Sequence, residues 1–276
     1  MMILSAALIQ WKNSPLMIIA LFHSLKMLVF LLGVPLGLAL LLQWIGGGIR
    51  KSGVSRLGNA YWHLVSPGVA CHETGHALGC LLTFCRITKF VPFGIGEDGT
   101  LGYVQHEVKS GWKGAVSNLV IATGPIWFGC IVIVSLTWLF AGTSMVANYG
   151  DYFSNDALPG LLDYIWACFK SSKSLLFSLG GDSFSSWWLA ALWFYLVFCV
   201  ASEIGLSSVD IASMWKGLLC VVAALLLLGM IPVVGNWYAS GLHGLLPRLF
   251  LVHSLMAFAV LIDCALWLLM RLFVRR

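Results

Sequence analysis

Residues 71–79 read Cys-His-Glu-Thr-Gly-His-Ala-Leu-Gly and contain the pattern H-E-x-x-H. Residues four apart share a helix face, so His72 and His76 can present both imidazoles to one metal ion. Glu73 stands beside the first imidazole. From there it can take a proton from an activated water and pass it to a leaving amine. Two imidazoles and a carboxylate leave an open fourth position, which makes one Zn2+ per chain the expected metal. Seven His and four Glu in 276 residues would give this pattern by chance in roughly one such chain in 400. The competing reading is a buried polar cluster that stabilises helix packing or gates an ion path.

The elements that must position these groups belong to a membrane protein. Hydrophobic residues make up 60% of the chain and charged residues 10%, with a mean hydropathy of +0.92. A soluble domain carries about 25% charge, so disorder, a collagen-like fibre and a nucleic-acid-binding module are excluded. The net charge of +5 suits basic flanks around apolar spans. The eight cysteines lack the paired spacing of a disulfide scaffold or zinc ribbon and read as small buried hydrophobes. The N-terminus lacks the pattern of a signal peptide and reads as mature sequence.

Five apolar segments reach the length of about 20 residues that a crossing needs: 16–45, 113–140, 186–206, 218–234 and 245–269. A sixth, 57–85, contains His63, His72, Glu73 and His76. Charged groups at that depth cost about 2.5–3.5 kcal/mol each, which marks this helix as the functional one. Ile87–Phe93 and Thr100–His106, joined by a Gly-rich link, read as a β-hairpin at the membrane surface or inside the protein. From Leu158, Leu161, Leu162, Ile165, Trp166, Phe169 and Leu176 recur at helical spacing, with Asp163, Lys170 and Ser174 opposite, as in an interfacial helix. The expected fold is an all-α polytopic membrane protein of about six transmembrane helices with a small membrane-associated β-hairpin. Residues 1–56 form an N-terminal helix and basic loop, 57–217 a metalloprotease-like core, and 218–276 two C-terminal helices. With six alternating crossings and the N-terminus inside, Arg271, Arg275 and Arg276 fall inside, whereas Arg50, Lys51 and Arg56 fall outside. The full count weakly favours a cell-membrane protein whose active site faces the cytoplasm.

An HExGH motif in a transmembrane helix, followed by a hairpin and a Gly-Pro-bearing span, resembles the site-2 protease family of intramembrane zinc metalloproteases. The resemblance covers roughly residues 60–220: His72, Glu73 and His76, then Gly102-Tyr103-Val104, Ala122-Thr123-Gly124-Pro125, and Asp210. It implies zinc held by His72, His76 and Asp210, Glu73 as the catalytic base, and a membrane-protein substrate. The chain looks like a divergent member. Ser207-Ser208-Val209-Asp210-Ile211-Ala212 replaces the family's Asn-Pro-rich stretch ending in Asp-Gly. Trp127 and Phe128 stand where an Asn is usual, and Asn118 upstream is a substitute for it.

The residues bear on the third ligand independently. Carboxylates at membrane depth outside the motif are Glu203, Asp210 and Asp263. Asp210 follows two serines that can open the helix and bond its carboxylate, which ranks it ahead of Glu203 and Asp263. Glu203, seven residues earlier, can support the site from behind or relay protons, or be a neutral, hydrogen-bonded side chain. His63 lies about 90° around the helix from His72 and reads as an interfacial residue. Gly124-Pro125 either kinks a helix or opens a broken helix onto the cavity. The expected function is therefore intramembrane peptide hydrolysis. A catalytically silent scaffold, or a transporter using the His/Glu cluster, is the alternative. The expected surroundings are the lipid bilayer and a membrane-protein substrate, with no nucleic acid.

Overall fold

The computed structural model describes residues 15–96, 100–142, 149–153, 159–178 and 184–272. Lys12, Arg275, Arg276, Asp156 and the hairpin residues Glu97–Gly99 lie outside them. Helix α1 (Pro15–Leu28) runs through a π-turn at Val29–Gly33 into α2 (Val34–Leu57). The turn sits just before Pro35, which has no N–H for the carbonyl four residues back, so the ladder is rewound there. After a turn at Gly58, α3 (Ala60–Leu82) carries the HExxH motif. Pro67 cannot bond the His63 carbonyl, and the Ser66 hydroxyl donates to it instead at 2.8 Å.

Strands β1 (Arg86–Val91) and β2 (Tyr103–Glu107) pair antiparallel, Ile87 opposite His106 and Val91 opposite Tyr103, with a bulge at Thr88. The expected hairpin is present. Phe93 reaches the ring of His63, 5.8 Å away, so the chain runs back along the motif helix. The eight residue steps from Cys85 to Phe93 extend about 26 Å as strand, close to the roughly 28 Å of helix between His63 and Leu82.

Helices α4 (Trp112–Ala122) and α5 (Gly124–Ala141) are one apolar rod broken at Thr123. Helix α6 (Leu161–Ser178) follows, then α7 (Trp187–Glu203), α8 (Ser208–Gly229) and the 41-residue α9 (Pro232–Leu272). Leu42, Ile45 and Ile49 of α2 and Phe250, Phe258 and Ile262 of α9 are buried in the helix–helix core. Large apolar side chains such as Trp44, Leu227 and Leu272 face outward.

Six crossings are not found. Among the described residues, four helices are long and apolar enough to cross a membrane: Ile18–Leu57, Trp112–Ala141, Ser208–Gly229 and Ser240–Leu272. The motif helix falls short in apolarity because of its ionisable groups, and α7 falls short in length at 17 residues. The segments 186–206 and 218–234, expected as separate crossings, follow one another end to end. Cys199 of α7 lies beside Gly68, Glu203 meets His72, and Gly229 at the far end of α8 lies against Ser24 of α1. Simple alternation of sides fails with them. Gly48 of α2 touches Trp267 of α9, and Lys51 and Arg271 line one cavity. Arg50, Lys51 and Arg56 therefore share an end of the molecule with Arg271 instead of opposing it.

Helix α6 forms as expected and packs on α9 by the face beside its apolar stripe. Tyr164, Ala167, Cys168, Ser171, Ser172 and Leu175 are buried, and Ser172 Oγ donates to the Ser254 carbonyl of α9 at 2.6 Å. Small residues let the two backbones approach closely. The apolar stripe points away, with Leu162 80% and Trp166 70% exposed, as a membrane-facing surface requires.

Candidate metal centre

Glycines fix where the motif helix lies. A side chain at Gly75 would come within 2.7 Å of the Pro125 backbone, and one at Gly79 within 2.7 Å of Ile121. The helix therefore rests directly on the break between α4 and α5. That break has a chemical consequence. In a continuous helix the residue-125 N–H would bond the carbonyl of Ile121, four residues back; proline has none to give. The Ile121 carbonyl instead accepts from His76 Nδ1 at 2.8 Å.

His72 is held in the same manner by a second break. Helix α7 ends at Glu203, leaving its last carbonyls without helical partners, and the Glu203 carbonyl accepts from His72 Nδ1 at 2.6 Å. Continued helix would have paired that carbonyl with the Ser207 N–H. The Ser207 N–H turns instead to Asp210 Oδ2 at 2.8 Å, and Ser207 Oγ accepts from the Asp210 N–H at 3.1 Å. This capping box starts α8 and orients the Asp210 carboxylate.

With both Nδ1 atoms bonded to carbonyls, both Nε2 atoms turn toward each other and toward Asp210. His72 Nε2 and His76 Nε2 are 3.0 Å apart; His76 Nε2 lies 3.1 Å from Asp210 Oδ1, and His72 Nε2 3.6 Å from Oδ2. A tetrahedral ion with bonds of 2.0–2.2 Å sets its ligand atoms about 3.3 Å apart, which these separations bracket. The donor chemistry agrees. Nδ1–H donation leaves the Nε2 lone pairs facing one another and a carboxylate, an arrangement that repels itself unless positive charge sits between. His72, His76 and Asp210 could thus hold a metal ion, and His76 and Asp210 are buried.

Glu73 lines the cavity beside this point. A side chain at Gly102, just before β2, would lie 2.8 Å from Glu73 Cγ. The bare glycine backbone therefore passes over the glutamate and confines it. The cavity measures about 460 Å³ and is also bordered by Arg50, Tyr103, Asn118 and Glu203.

The other candidates take different places. The Glu203 carboxylate pairs with Arg50 Nη1 at 3.3 Å, and its main-chain oxygen serves His72. Asp263 is fully buried on α9 and lies outside the ligand group. Asn118 borders the cavity without a described hydrogen bond to the three ligands. His63 packs on Phe93. Sequence reasoning missed Arg50 as a cavity residue, because it was counted only as a flanking charge. It also missed the two carbonyls, although Pro125 at four residues past Ile121 was a signal for one of them. No protein-family model, curated protein or solved structure matches the chain.

Proposed function

We propose that this chain is a membrane-embedded zinc metalloprotease that hydrolyses a peptide bond in or near a transmembrane segment of another membrane protein. One observation carries the reading: His72, His76 and Asp210 converge on a single point while Glu73 borders the same cavity. Two imidazoles and one carboxylate at tetrahedral spacing suit zinc. When bound, zinc supplies Lewis acidity that makes water nucleophilic at neutral pH. Glu73 takes the proton from the attacking water and delivers it to the leaving nitrogen. The Ile121 and Glu203 carbonyls hold the imidazoles so that no reorganisation is needed during reaction. A substrate helix bonds its own amides, so it unwinds locally before attack. The segment from Gly102 to Val104 borders the cavity, where an unwound strand could lie along it.

The setting follows from the same features. Four helices among the described residues are long and apolar enough to cross a membrane, which supports assigning the chain to the cell membrane. Arg50, Lys51, Arg56 and Arg271 gather at one end of the motif helix, and Arg86, Lys109, Lys113 and Lys216 lie toward the other. We assign the active site to the cytoplasmic side, as the full count of basic residues favours.

The test is metal analysis of the natively purified chain, joined to a comparison of membrane-protein fragments in cells. One zinc per chain, lost in His72→Ala and kept in Glu73→Gln, is expected, together with a substrate fragment formed only by the wild type. A wild-type chain purified without metal rules the enzyme out. Identical fragments in wild-type and Glu73→Gln cells, with zinc bound in both, leave a catalytically silent binding protein.

A further inference from the structure

On the face of α2 away from the catalytic cavity lies a second cavity of about 340 Å³. It is lined by Gly48, Lys51, Ser52 and Ser55 of α2 and by Trp267 and Arg271 of α9. We propose that it binds the phosphate headgroup of an anionic glycerophospholipid. The inference stands apart from the protease reading and needs only the placement of α2 and α9 in a membrane.

Charge is the first ground. Neither Lys51 nor Arg271 has a carboxylate partner among the described residues, whereas Arg50, one residue away, is taken up by Glu203. The carbonyl ends of α2 and α9 each carry roughly half a negative charge, so together they offset about one of the two cations. Arg56 in the last turn of α2 tips the balance further positive.

Preorganisation is the second ground. The Arg271 guanidinium lies 4.0 Å from the centre of the Trp267 ring, a cation–π contact that fixes the fork suited to two phosphate oxygens. The indole has room only because residue 48 is glycine, since a side chain there would meet Trp267 Nε1 at 2.6 Å. Trp267 Nε1 thereby lies against Gly48, which lines the cavity with it. The Ser52 and Ser55 hydroxyls are already committed to the Gly48 and Ser52 carbonyls, which leaves Lys51 and Arg271 as the charged donors.

Position and shape are the third. Both helices are apolar candidate spans, and the cavity lies near their C-terminal ends, the depth of lipid headgroups. Trp44 packs edge-on against Trp267 at 5.6 Å and is 66% exposed. Leu40, one turn further in, is exposed too. Lys51, Gly48, Trp44 and Leu40 lie on one helix stripe. A charged head is thus followed by an apolar track toward the bilayer centre, which is the profile of a lipid. The choline of a zwitterionic lipid would face Lys51 and Arg271, so anionic headgroups are preferred.

The test is native mass spectrometry of the purified full-length chain with phosphatidylglycerol, phosphatidylcholine or inorganic phosphate at equal concentration. The wild type should retain phosphatidylglycerol over phosphatidylcholine. K51Q/R271Q should lower that retention by about 30-fold, the joint effect of two basic side chains at headgroup level. K109Q/K113Q, with the same change in net charge elsewhere, should keep it, and so should K51R/R271K. Equal retention of both lipids by the wild type overturns the proposal even if K51Q/R271Q fails to fold. An equal loss in K109Q/K113Q overturns it as well. Displacement by inorganic phosphate at equal concentration reduces the site to a plain anion site and removes the lipid.

Discussion

Two helix breaks flank the motif helix, and each hands one free carbonyl to one imidazole. The break between α4 and α5 is made by proline, so the Ile121 carbonyl is released by a missing atom. The break between α7 and α8 contains no proline. It is held open by Ser207 and Asp210 bonding each other's backbone N–H. The first break is fixed in the covalent structure, and the second depends on side chains. The second also does more, because the same cap that frees the Glu203 carbonyl orients Asp210, the third group that could hold a metal ion. One break only orients an imidazole, and the other also brings a carboxylate to the same point.

Asp210→Ala removes both roles at once. Loss of an outer hydrogen-bond partner costs about 10–100-fold in metal affinity, so loss of the ligand together with its cap should exceed about 100-fold. Competition with a chelator measures this. An affinity within 10-fold of wild type would show that the α7–α8 break does no more than the α4–α5 break.

Pro125→Ala tests the other side. It restores an N–H that competes with His76 for the Ile121 carbonyl. Metal affinity should fall about 10–100-fold. The metal-free protein should change little in stability, because Pro125 stands in the first turn of α5, where proline is tolerated. A loss of metal affinity without a loss of metal-free stability is the mark of a break kept for the site, so a metal-free Pro125→Ala chain that melts well below wild type would remove that interpretation. Gly75→Ala is the steric counterpart. It pushes α3 off the backbone of Pro125 and should cost about 1–3 kcal/mol in thermal or denaturant unfolding, as overpacking does.

The two breaks also differed in how far the sequence disclosed them. Gly124-Pro125 is visible by residue type, and its effect on the carbonyl four residues back follows from backbone chemistry. Ser207 and Asp210 have the spacing of a capping box, and that spacing marks a helix start. Hydropathy hid what the start meant. It registers apolar length and not direction, so 186–206 and 218–234 counted as two opposed crossings when they run on from one another. An apolar stripe likewise does not say which face of α6 packs on protein. Ser171, Ser172, Cys168 and Ala167 are buried because they are small, while Leu162 and Trp166 stay outside, and in lipid apolarity does not distinguish a packed face from a free one. His72, Glu73 and His76 were legible because their chemistry needs only one helix and a spacing of four.

Ser207→Ala is milder than either break-wide change. It deletes the acceptor for the Asp210 N–H but leaves the Ser207 N–H on the carboxylate. A lost cap costs about 1 kcal/mol, or about five-fold if it falls wholly on metal affinity. Ser207→Thr should restore it, because threonine also caps. An undiminished affinity in Ser207→Ala would assign the geometry of Asp210 to packing of α8 and not to its cap.

The smallest expected effect is the sharpest test of what Glu203 contributes. Its carbonyl, not its carboxylate, holds His72, and the carboxylate is engaged with Arg50 instead. Glu203→Gln keeps the carbonyl and can still accept from Arg50, whose side chain is 35% exposed and partly solvated. Metal affinity should therefore stay within about three-fold of wild type, well short of the 10–100-fold expected for a lost hydrogen-bond partner of a ligand. A loss of 100-fold or more in the same chelator competition would make the carboxylate part of the metal site. The α7–α8 break would then supply its ligands by side chain throughout, and its likeness to the proline break would end.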